Sequence, residues 1–238
     1  YCEKMELNVY TLIHEVGAGQ MEINFFHADP LSLADETFLF KRTVREAALR
    51  HDMYATFMAK PIAGEPGSAM HVHQSLVSLA TGLNIFSKED GSASQEFLWY
   101  IGGLQRYIPA AMALFAPYVN SYRRLVRSNA APINIQWGTD NRTVGIRSPV
   151  AQPAARRIEN RVIGSDANPY AALAATLAPP GPANATGTDS LRRPMLRNTT
   201  KCRCGPVENP VLPELAMYSP RATRCPIFTR TVSSCRCA

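Results

Sequence analysis

Histidine and serine side chains alternate along one short segment of this sequence. If residues 70–76 form a strand, His71, His73 and Ser75 lie on the same face of it. Taken alone, two histidines with this spacing more often mark a solvated strand face than a metal site. The segment becomes informative only beside other groups of matching chemistry.

Charged residues alternate in the same way along residues 156–161. A strand there places Arg157, Glu159 and Arg161 on one face. By itself this pattern is typical of an ion-pair ladder on a protein surface. Near the start of the chain, Glu15 and Glu22 bracket a glycine-bearing turn at 17–20, and alone they are ordinary surface carboxylates.

Together these groups indicate a more specific chemistry. Carboxylates with an imidazole suit a hard divalent ion, Mg²⁺ or Mn²⁺, better than zinc, which favours cysteine. Arginines beside such ions suit phosphate and carboxylate ligands, because the guanidinium group binds both in a bidentate manner. Metal ions and arginines together are the equipment for phosphoryl transfer.

Strands and helices that alternate along the chain must position these side chains. Period-2 patterning and turn residues predict strands at 20–26, 70–76, 133–137, 144–147 and 156–161. Helical patterning and capping residues predict helices at 33–50, from a capping box at 92–95 to about 107, and at 168–177. Pro109 is expected to break the second helix and to start another.

Composition restricts the class of protein. The 238 residues are 46% hydrophobic and 18% charged, which supports a packed core. The net charge of +6 could suit an anionic partner, but the arginines are scattered, so we expect no nucleic acid. No apolar run suggests a membrane span, and the body of the chain holds only Cys2, which is typical of a reduced cytoplasmic protein.

Several segments resemble, in order and spacing, the catalytic domain of the glutamine synthetase family. They are 14–24 (HEVGAGQMEIN), 67–76 (GSAMHVHQSL), 120–126 (NSYRRLV), 141–149 (NRTVGIRSP), 155–161 (ARRIENR) and 168–173 (NPYAAL). The resemblance covers residues 1–178. It implies an α+β fold: a glutamine synthetase-type catalytic domain, here incomplete, with a curved, mainly antiparallel sheet backed by helices.

The resemblance also implies a role for each matched residue. The metal ligands are Glu15, Glu22, His71 and Glu159, and the groups that bind glutamate are Gly67, Arg124 and Arg161. The nucleotide contacts are His73, Ser75 and Arg157, and the arginines that face the phosphates are Arg142 and Arg147. The implied cofactor is Mg²⁺ or Mn²⁺, and ATP is a co-substrate.

The implied reaction joins glutamate to ammonia or an amine. Glutamate attacks ATP to give γ-glutamyl phosphate, and the amine then displaces phosphate to give an amide. Family members are cytoplasmic and form double-ring homo-oligomers. Because a scaffold has no need for this set of charged side chains, the resemblance favours an enzyme over a non-catalytic structural or regulatory relative, which stays open as an alternative.

One departure from the family pattern bears on the acceptor. Ammonia-using members carry a glutamate at the position of Ala130, where it helps to bind ammonium. The loss of this glutamate leaves room for a larger amine. The sequence at 131–138 also resembles the branch of the family that includes γ-glutamylpolyamine synthetases. Replacement of that glutamate by another group, or simple variability of the loop, remains the alternative.

The two ends of the match are further departures. Family members carry an N-terminal β-grasp domain and a Glu-x-Glu strand before the matched region, so we expect this chain to be a fragment with little or no activity alone. After Leu177 the composition turns rich in Arg, Pro, Ser and Cys. We interpret 179–238 as an irregular or disordered tail, with out-of-frame translation as its favoured origin over a divergent tail or a Cys-x-Cys metal site.

Overall fold

A mainly antiparallel sheet forms the centre of the computed structural model, which describes residues 1–126 and 131–178 and the backbone of 192–206. Its strands are β1 (Val9–His14), β2 (Gln20–Phe25), β3 (Met53–Thr56), β4 (Met70–Ser78), β5 (Trp137–Thr139), β6 (Ile146–Ser148), β7 (Ile158–Asn160) and β8 (Arg192–Pro206). They lie in the order β1-β2-β8-β4-β7-β6-β5, and β3 also pairs with β8. Neighbours in the described sheet are antiparallel except β5 and β6, which are parallel.

The described helices are α1 (Pro30–Leu49), α2 (Gln95–Phe115), α3 (Val119–Arg124) and α4 (Pro169–Leu177). Each of the three longer helices begins at a polar N-cap: Asp29 accepts from the N–H groups of residues 31 and 32, Ser94 from that of 97, and Asn168 from that of 171. Within the described ranges, no helix is both long and apolar enough to cross a membrane.

One face of the sheet forms the hydrophobic core with the helices. On β4, β6 and β7 the core-facing side chains include Met70, Val72, Ile146 and Ile158, all fully buried. They belong to one cluster with apolar residues of α1, α2 and α4. Because side chains alternate along a strand, the residues between them face the opposite side of the sheet.

The sequence analysis predicted part of this architecture: β1 and β3 were not predicted, and the strand predicted at 133–137 is wrong, because β5 begins only at Trp137. An α+β fold with a mainly antiparallel sheet is confirmed, and the helices predicted at 33–50 and 168–177 correspond to α1 and α4. The predicted helix break at Pro109 is wrong, because α2 continues through that residue. Proline removes one backbone hydrogen bond, while burial of Leu104, Ile108 and Phe115 on the same helix favours its continuation. The N-cap of α2 is Ser94 rather than Ser92.

The backbone after residue 191 corrects part of the predicted tail. The sequence analysis expected an irregular or disordered chain there, yet residues 192–206 form β8 between β2 and β4. Strand pairing uses backbone groups, which every residue type except proline supplies in full, so side-chain patterning is a weak guide to it. The division into 1–178 and 179–238 stays a prediction, and the cysteines at 225, 235 and 237 lie outside the described residues.

A buried lysine on α1 makes the stability of the fold depend on pH. Lys41 is 7% exposed, its Nζ donates to the carbonyl of Ala167 at 2.9 Å, and burial lowers its pKa to about 8. Between pH 8 and 10.5 the unfolded lysine keeps a proton that the folded one has lost, so stability rises with pH across that window. We expect the free energy of unfolding to rise by up to about 3 kcal/mol relative to Lys41→Met. Urea unfolding of both proteins at pH 7 and pH 10 measures this difference, and parallel pH profiles would contradict it.

Candidate functional site

The carboxylate of Glu159 lies at the centre of a buried group of charges on β7. Its Oε1 accepts hydrogen bonds from His71 Nδ1 at 3.1 Å and from Arg161 Nη1 at 2.5 Å. Its Oε2 accepts from Arg147 Nη1 at 2.8 Å. Glu159 is 2% exposed, and His71 and Arg161 are also buried. Three strands, β4, β6 and β7, therefore each contribute to this group.

The neighbours of Glu159 decide its ionisation. Burial by itself raises the pKa of Glu159, but the hydrogen bond from His71 and the charges of His71, His73 and Arg161 lower it well below its usual range. Burial lowers the pKa of Arg147, whereas the hydrogen bonds to Glu159 and Asp140 raise it overall. The buried carboxylate is therefore ionised at neutral pH and is held by cationic groups.

Strand register brings Glu22 to the same face of the sheet as His71. Ile23 of β2 and Met70 of β4 both pair with position 200 of β8, and both are buried in the core. Glu22 and His71 are the sequence neighbours of these two residues, so their side chains lie on the opposite face. His73 pairs with Glu159, and Glu159 with Arg147, which extends the same face to β7 and β6.

Glu15 lies at the β1–β2 turn, next to this face. Its N–H donates to the carbonyl of Gln20 at 2.8 Å, which closes the turn directly after β1. Glu15 and Glu22 are partly buried. The structure thus places these two carboxylates on the β1–β2 hairpin, and the pair His71 and Glu159 on β4 and β7.

The predicted nucleotide contacts lie along β4 and before β7. Arg157 Nε donates to His73 Nδ1 at 3.4 Å, and Arg157 Nη1 donates to the carbonyl of Ala155 at 3.3 Å. Ser75 follows His73 on the same face of β4 and is partly buried. These three residues are therefore neighbours of the Glu159 group on one side of the sheet.

Arg124 is enclosed beside Gly67 rather than exposed in an open cleft. Its Nη2 donates to the carbonyl of Val162 and, at 3.3 Å, to that of Arg161. Burial lowers the pKa of Arg124 to about 10, with Asp166 raising it and Arg161 lowering it further. A Cβ on Gly67 would lie 2.4 Å from Arg124 Cγ, so only glycine allows this approach. The structure brings together the three predicted glutamate-binding positions, Gly67, Arg124 and Arg161.

Helix α3 is anchored to the surrounding loops by two polar residues. The side chain of Asn120 accepts from the N–H of Lys60 and donates to its carbonyl, both at 2.9 Å. Ser121 donates to Asp166 Oδ2 at 2.6 Å. These contacts explain why asparagine and serine precede Arg124 in this segment: they hold the helix that carries it.

The remaining predicted residues have different outcomes. Arg147 is in the site, as described, whereas Arg142 is exposed in the turn between β5 and β6 and is not brought to the Glu159 group by any described contact. Ala130 lies outside the described residues. Sequence reasoning missed Asp140, which accepts from Arg147 Nη2 at 2.5 Å and so pairs with the other end of that guanidinium. No spacing or periodicity marked Asp140 in advance.

The predicted metal ligands could give each divalent ion only two protein side chains. Among the described residues, no group of three or more His, Cys, Asp or Glu side chains is close enough to hold a metal ion. Of the predicted ligands, His71 and Glu159 are in contact at 3.1 Å, and Glu15 and Glu22 both lie on the β1–β2 hairpin. Mg²⁺ commonly takes one or two protein carboxylates and fills its other positions with water and substrate phosphate, so one or two carboxylates at each position are enough to suit it.

Comparisons with known proteins give matches over most of the chain. The family model described as "Glutamine synthetase, catalytic domain" matches residues 1–181. A glutamine synthetase of Thermococcus kodakarensis is 45% identical over 177 residues, covering 74% of this chain and 39% of the relative. A gamma-glutamylputrescine synthetase of Escherichia coli is 42% identical over 167 residues, covering 70% and 35%. A glutamine synthetase of Streptomyces coelicolor is 43% identical over 180 residues, covering 74% and 38%.

The chain thus spans about two fifths of the length of the curated relatives that it matches. The match extends through the β1–β2 hairpin, β4 and β7, which carry the predicted ligands, and it ends four residues after α4. On this match and these identities, the chain belongs to the glutamine synthetase family, with residues 1–181 corresponding to its catalytic domain.

Proposed function

We propose that this chain is the catalytic part of an ATP-dependent ligase that joins glutamate to ammonia or another amine. The observation that carries the proposal is the Glu159 group: a buried, ionised carboxylate bound by His71, Arg147 and Arg161 on one face of a sheet. Burying such a group of charges costs free energy. In addition, Arg147 and Arg161 each carry a buried N–H group with no hydrogen-bond partner among the described residues.

These unused donors favour an anionic ligand. The Nε atoms of Arg147 and Arg161 are buried and have no hydrogen-bond partner in the described structure. Buried polar groups in native proteins are nearly always paired, so each of these donors calls for a partner. Phosphate and carboxylate oxygens are the strongest acceptors for guanidinium groups. ATP and glutamate supply both kinds of oxygen.

We propose that Glu15 and Glu22 hold one divalent ion, and that His71 and Glu159 hold a second. When bound, these ions would offset negative charge on the phosphate oxygens and lower the barrier to phosphoryl transfer. Mg²⁺ and Mn²⁺ are the candidates, because three of the four donors are carboxylates.

The chain's own residues would bind and orient the reactants. Arg124 packs directly against the peptide of Gly67, and this peptide and Arg161 bind glutamate, with Arg161 on a carboxylate of the substrate. Arg157, His73 and Ser75 contact the nucleotide, and Arg147 and Arg142 face the phosphates. In the first step a γ-carboxylate oxygen of glutamate bonds to the γ-phosphorus of ATP, and ADP leaves. In the second step the amine nitrogen attacks the γ-carbonyl carbon, phosphate leaves, and the nitrogen loses a proton.

The acceptor amine is a separate proposal with two candidates. The relatives are named glutamine synthetase and gamma-glutamylputrescine synthetase at similar identity, so the comparisons favour neither ammonia nor a polyamine. Ala130, where the family resemblance places a glutamate in ammonia-using members, favours the larger amine. In the complete enzyme, amide formation with putrescine at a lower concentration than with ammonium would support it, and the reverse order would support ammonia.

The same resemblance supports a cytoplasmic homo-oligomer for the complete enzyme. Edge strand β1 and the residues beside it expose Tyr10, Ile13, Val16 and Phe26. Exposed apolar surface of this kind is commonly covered by association with another chain. We propose that additional segments and subunits complete the active site, so that the 238-residue chain binds substrates without turning them over.

The test measures substrate binding and turnover by the isolated chain. We expect calorimetry to detect Mn²⁺-dependent binding of ATP and glutamate, and a phosphate-release assay to detect no product. Arg161→Met should weaken glutamate binding at least about tenfold, since a charge-assisted pair is lost. Arg123→Met is the matched control, because Arg123 is exposed on α3 and contacts none of the site residues described. Absence of ATP and glutamate binding would contradict the ligase, and phosphate release by this chain alone would contradict the need for further segments.

A further inference from the structure

A fully buried glutamine at the start of β2 links the two halves of the candidate site. Gln20 is 1% exposed and lies in the turn that carries Glu15. Its Nε2 donates to the carbonyl of Gly67 and to Ser68 Oγ, both at 3.0 Å. Its Oε1 accepts from the N–H of Gly17 at 3.3 Å. Both donors and one acceptor site of the amide are therefore used.

The position of this link matters because β2 and β4 are not neighbours in the sheet. Strand β8 lies between them, so no backbone hydrogen bond of the ladder joins β2 to β4 directly. Glu15 and Glu22 belong to the β1–β2 hairpin, whereas Gly67 and His71 belong to the segment that enters β4. Gln20 spans this gap with a side chain, and on the β4 side it holds the peptide that packs against Arg124.

The partners on the β4 side are themselves fixed. Ser68 is fully buried, its N–H donates to the carbonyl of Ala59 at 2.8 Å, and its carbonyl accepts from the N–H of Ser165 at 3.2 Å. Because Ser68 is held in place by these backbone hydrogen bonds, its hydrogen bond to Gln20 fixes the position of the Gln20 side chain. A nearby contact, from the N–H of Ala18 to Glu65 Oε2 at 3.0 Å, joins the same two segments at the surface, where water competes for it.

We propose that Gln20 is a positioning residue that sets the placement of Glu15 and Glu22 relative to Gly67 and His71. It contacts no reacting group itself; it acts through the hairpin turn on one side and through Gly67 and Ser68 on the other. The proposal rests on the proposed function, because it assigns the two halves to one metal- and glutamate-binding site. A chain that lacks the hydrogen bonds of the Gln20 side chain should therefore still fold but bind a divalent ion more weakly.

The experiment titrates Mn²⁺ into the 238-residue chain and follows the free ion by electron paramagnetic resonance. Gln20→Met keeps the length of the side chain but removes its three hydrogen bonds. We expect Mn²⁺ affinity to fall about 10-fold or more, as it does when outer-shell partners of metal ligands are removed. Gln74→Met is the matched control: Gln74 is equally buried, but it faces the core and is bound by Tyr100. We expect its Mn²⁺ affinity to stay within about threefold of the wild type.

A second variant keeps the test decisive if Gln20→Met does not fold. Ser68→Ala removes one partner of the link, and it should weaken Mn²⁺ binding in the wild-type chain. If Gln20→Met folds, adding Ser68→Ala to it should have no further effect, because the shared hydrogen bond is already lost. The positioning role would be overturned if folded Gln20→Met or Ser68→Ala bound Mn²⁺ as tightly as the wild type does. It would also be overturned if Gln74→Met lost as much Mn²⁺ affinity as Gln20→Met. Either result would leave the proposed function intact. Failure of the wild-type chain to bind Mn²⁺ at all would instead overturn the proposed function.

Discussion

Replacing Glu159 with alanine should lower the free energy of unfolding by about 3–5 kcal/mol. The carboxylate is 2% exposed and is the shared acceptor for His71, Arg147 and Arg161. Its removal leaves two guanidinium groups in a poorly hydrated site with no carboxylate between them. The remaining like charges then repel each other, Arg161 loses its carboxylate partner, and Arg147 keeps only the exposed Asp140. Urea unfolding at neutral pH, without added metal or nucleotide, measures this loss.

Three further variants separate the charge of Glu159 from its size and from the loss of any carboxylate. Glu159→Gln keeps the volume of the side chain, so a similar loss would assign the effect to charge. Glu46→Ala removes an exposed carboxylate of α1 and should change stability by no more than about 0.5 kcal/mol. Adding Arg161→Met to Glu159→Gln should recover part of the lost stability, since one unpaired charge is removed. Wild-type stability in Glu159→Gln would show that the buried ion pairs are not needed by the fold.

Gly67→Ala should destabilise the chain by about 2 kcal/mol or more, through overpacking at a rigid position. The added Cβ would lie 2.4 Å from Arg124 Cγ and 2.7 Å from the carbonyl oxygen of Ala59. One obstacle is backbone, and the other is the base of a side chain that is fixed by the carbonyls of residues 161 and 162. Neither can move aside without disturbing the site, so glutamate binding should be lost together with stability.

The same loop supplies the control for this substitution. Gly64→Ala adds a Cβ that meets nothing within 4 Å, so its effect on stability should be within about 1 kcal/mol and could be favourable. Thermal unfolding of the two variants beside the wild type compares them directly. Equal melting temperatures for Gly67→Ala and Gly64→Ala would show that Arg124 is free to move away from Gly67.

The polar face of the sheet is the part of the site that sequence patterning predicts best. Alternation on residues 70–76 predicts His71 and His73 on one face, and the structure has them opposite the buried Met70 and Val72. The pattern at 156–161 likewise predicts Glu159 with Arg161, which are hydrogen-bonded. Period-2 patterning succeeds here because one face must be apolar to form the core, and a shift by one residue would place the charges in that apolar core instead.

Contacts between distant segments could not be predicted from local patterns. The buried Arg124 is bound by the carbonyls of residues 161 and 162. Its side chain fits there only because residue 67 is glycine. The insertion of β8 between β2 and β4 depends on which backbone edges are available, and not on alternation within 192–206. Asp140 pairs with Arg147 because a turn with positive φ at Asp140 brings them together. In each case tertiary packing decides, and local propensity carries little information about it.

Anomalous X-ray scattering from crystals of this chain grown with Mn²⁺ and a non-hydrolysable ATP analogue locates the bound ions directly. We expect one peak within bonding distance of Glu15 and Glu22 and a second beside His71 and Glu159, with the analogue's phosphates near Arg147 and Arg157. Peaks elsewhere on the protein, or none near these four side chains at saturating Mn²⁺, would contradict the assignment of this face as a metal- and phosphate-binding site.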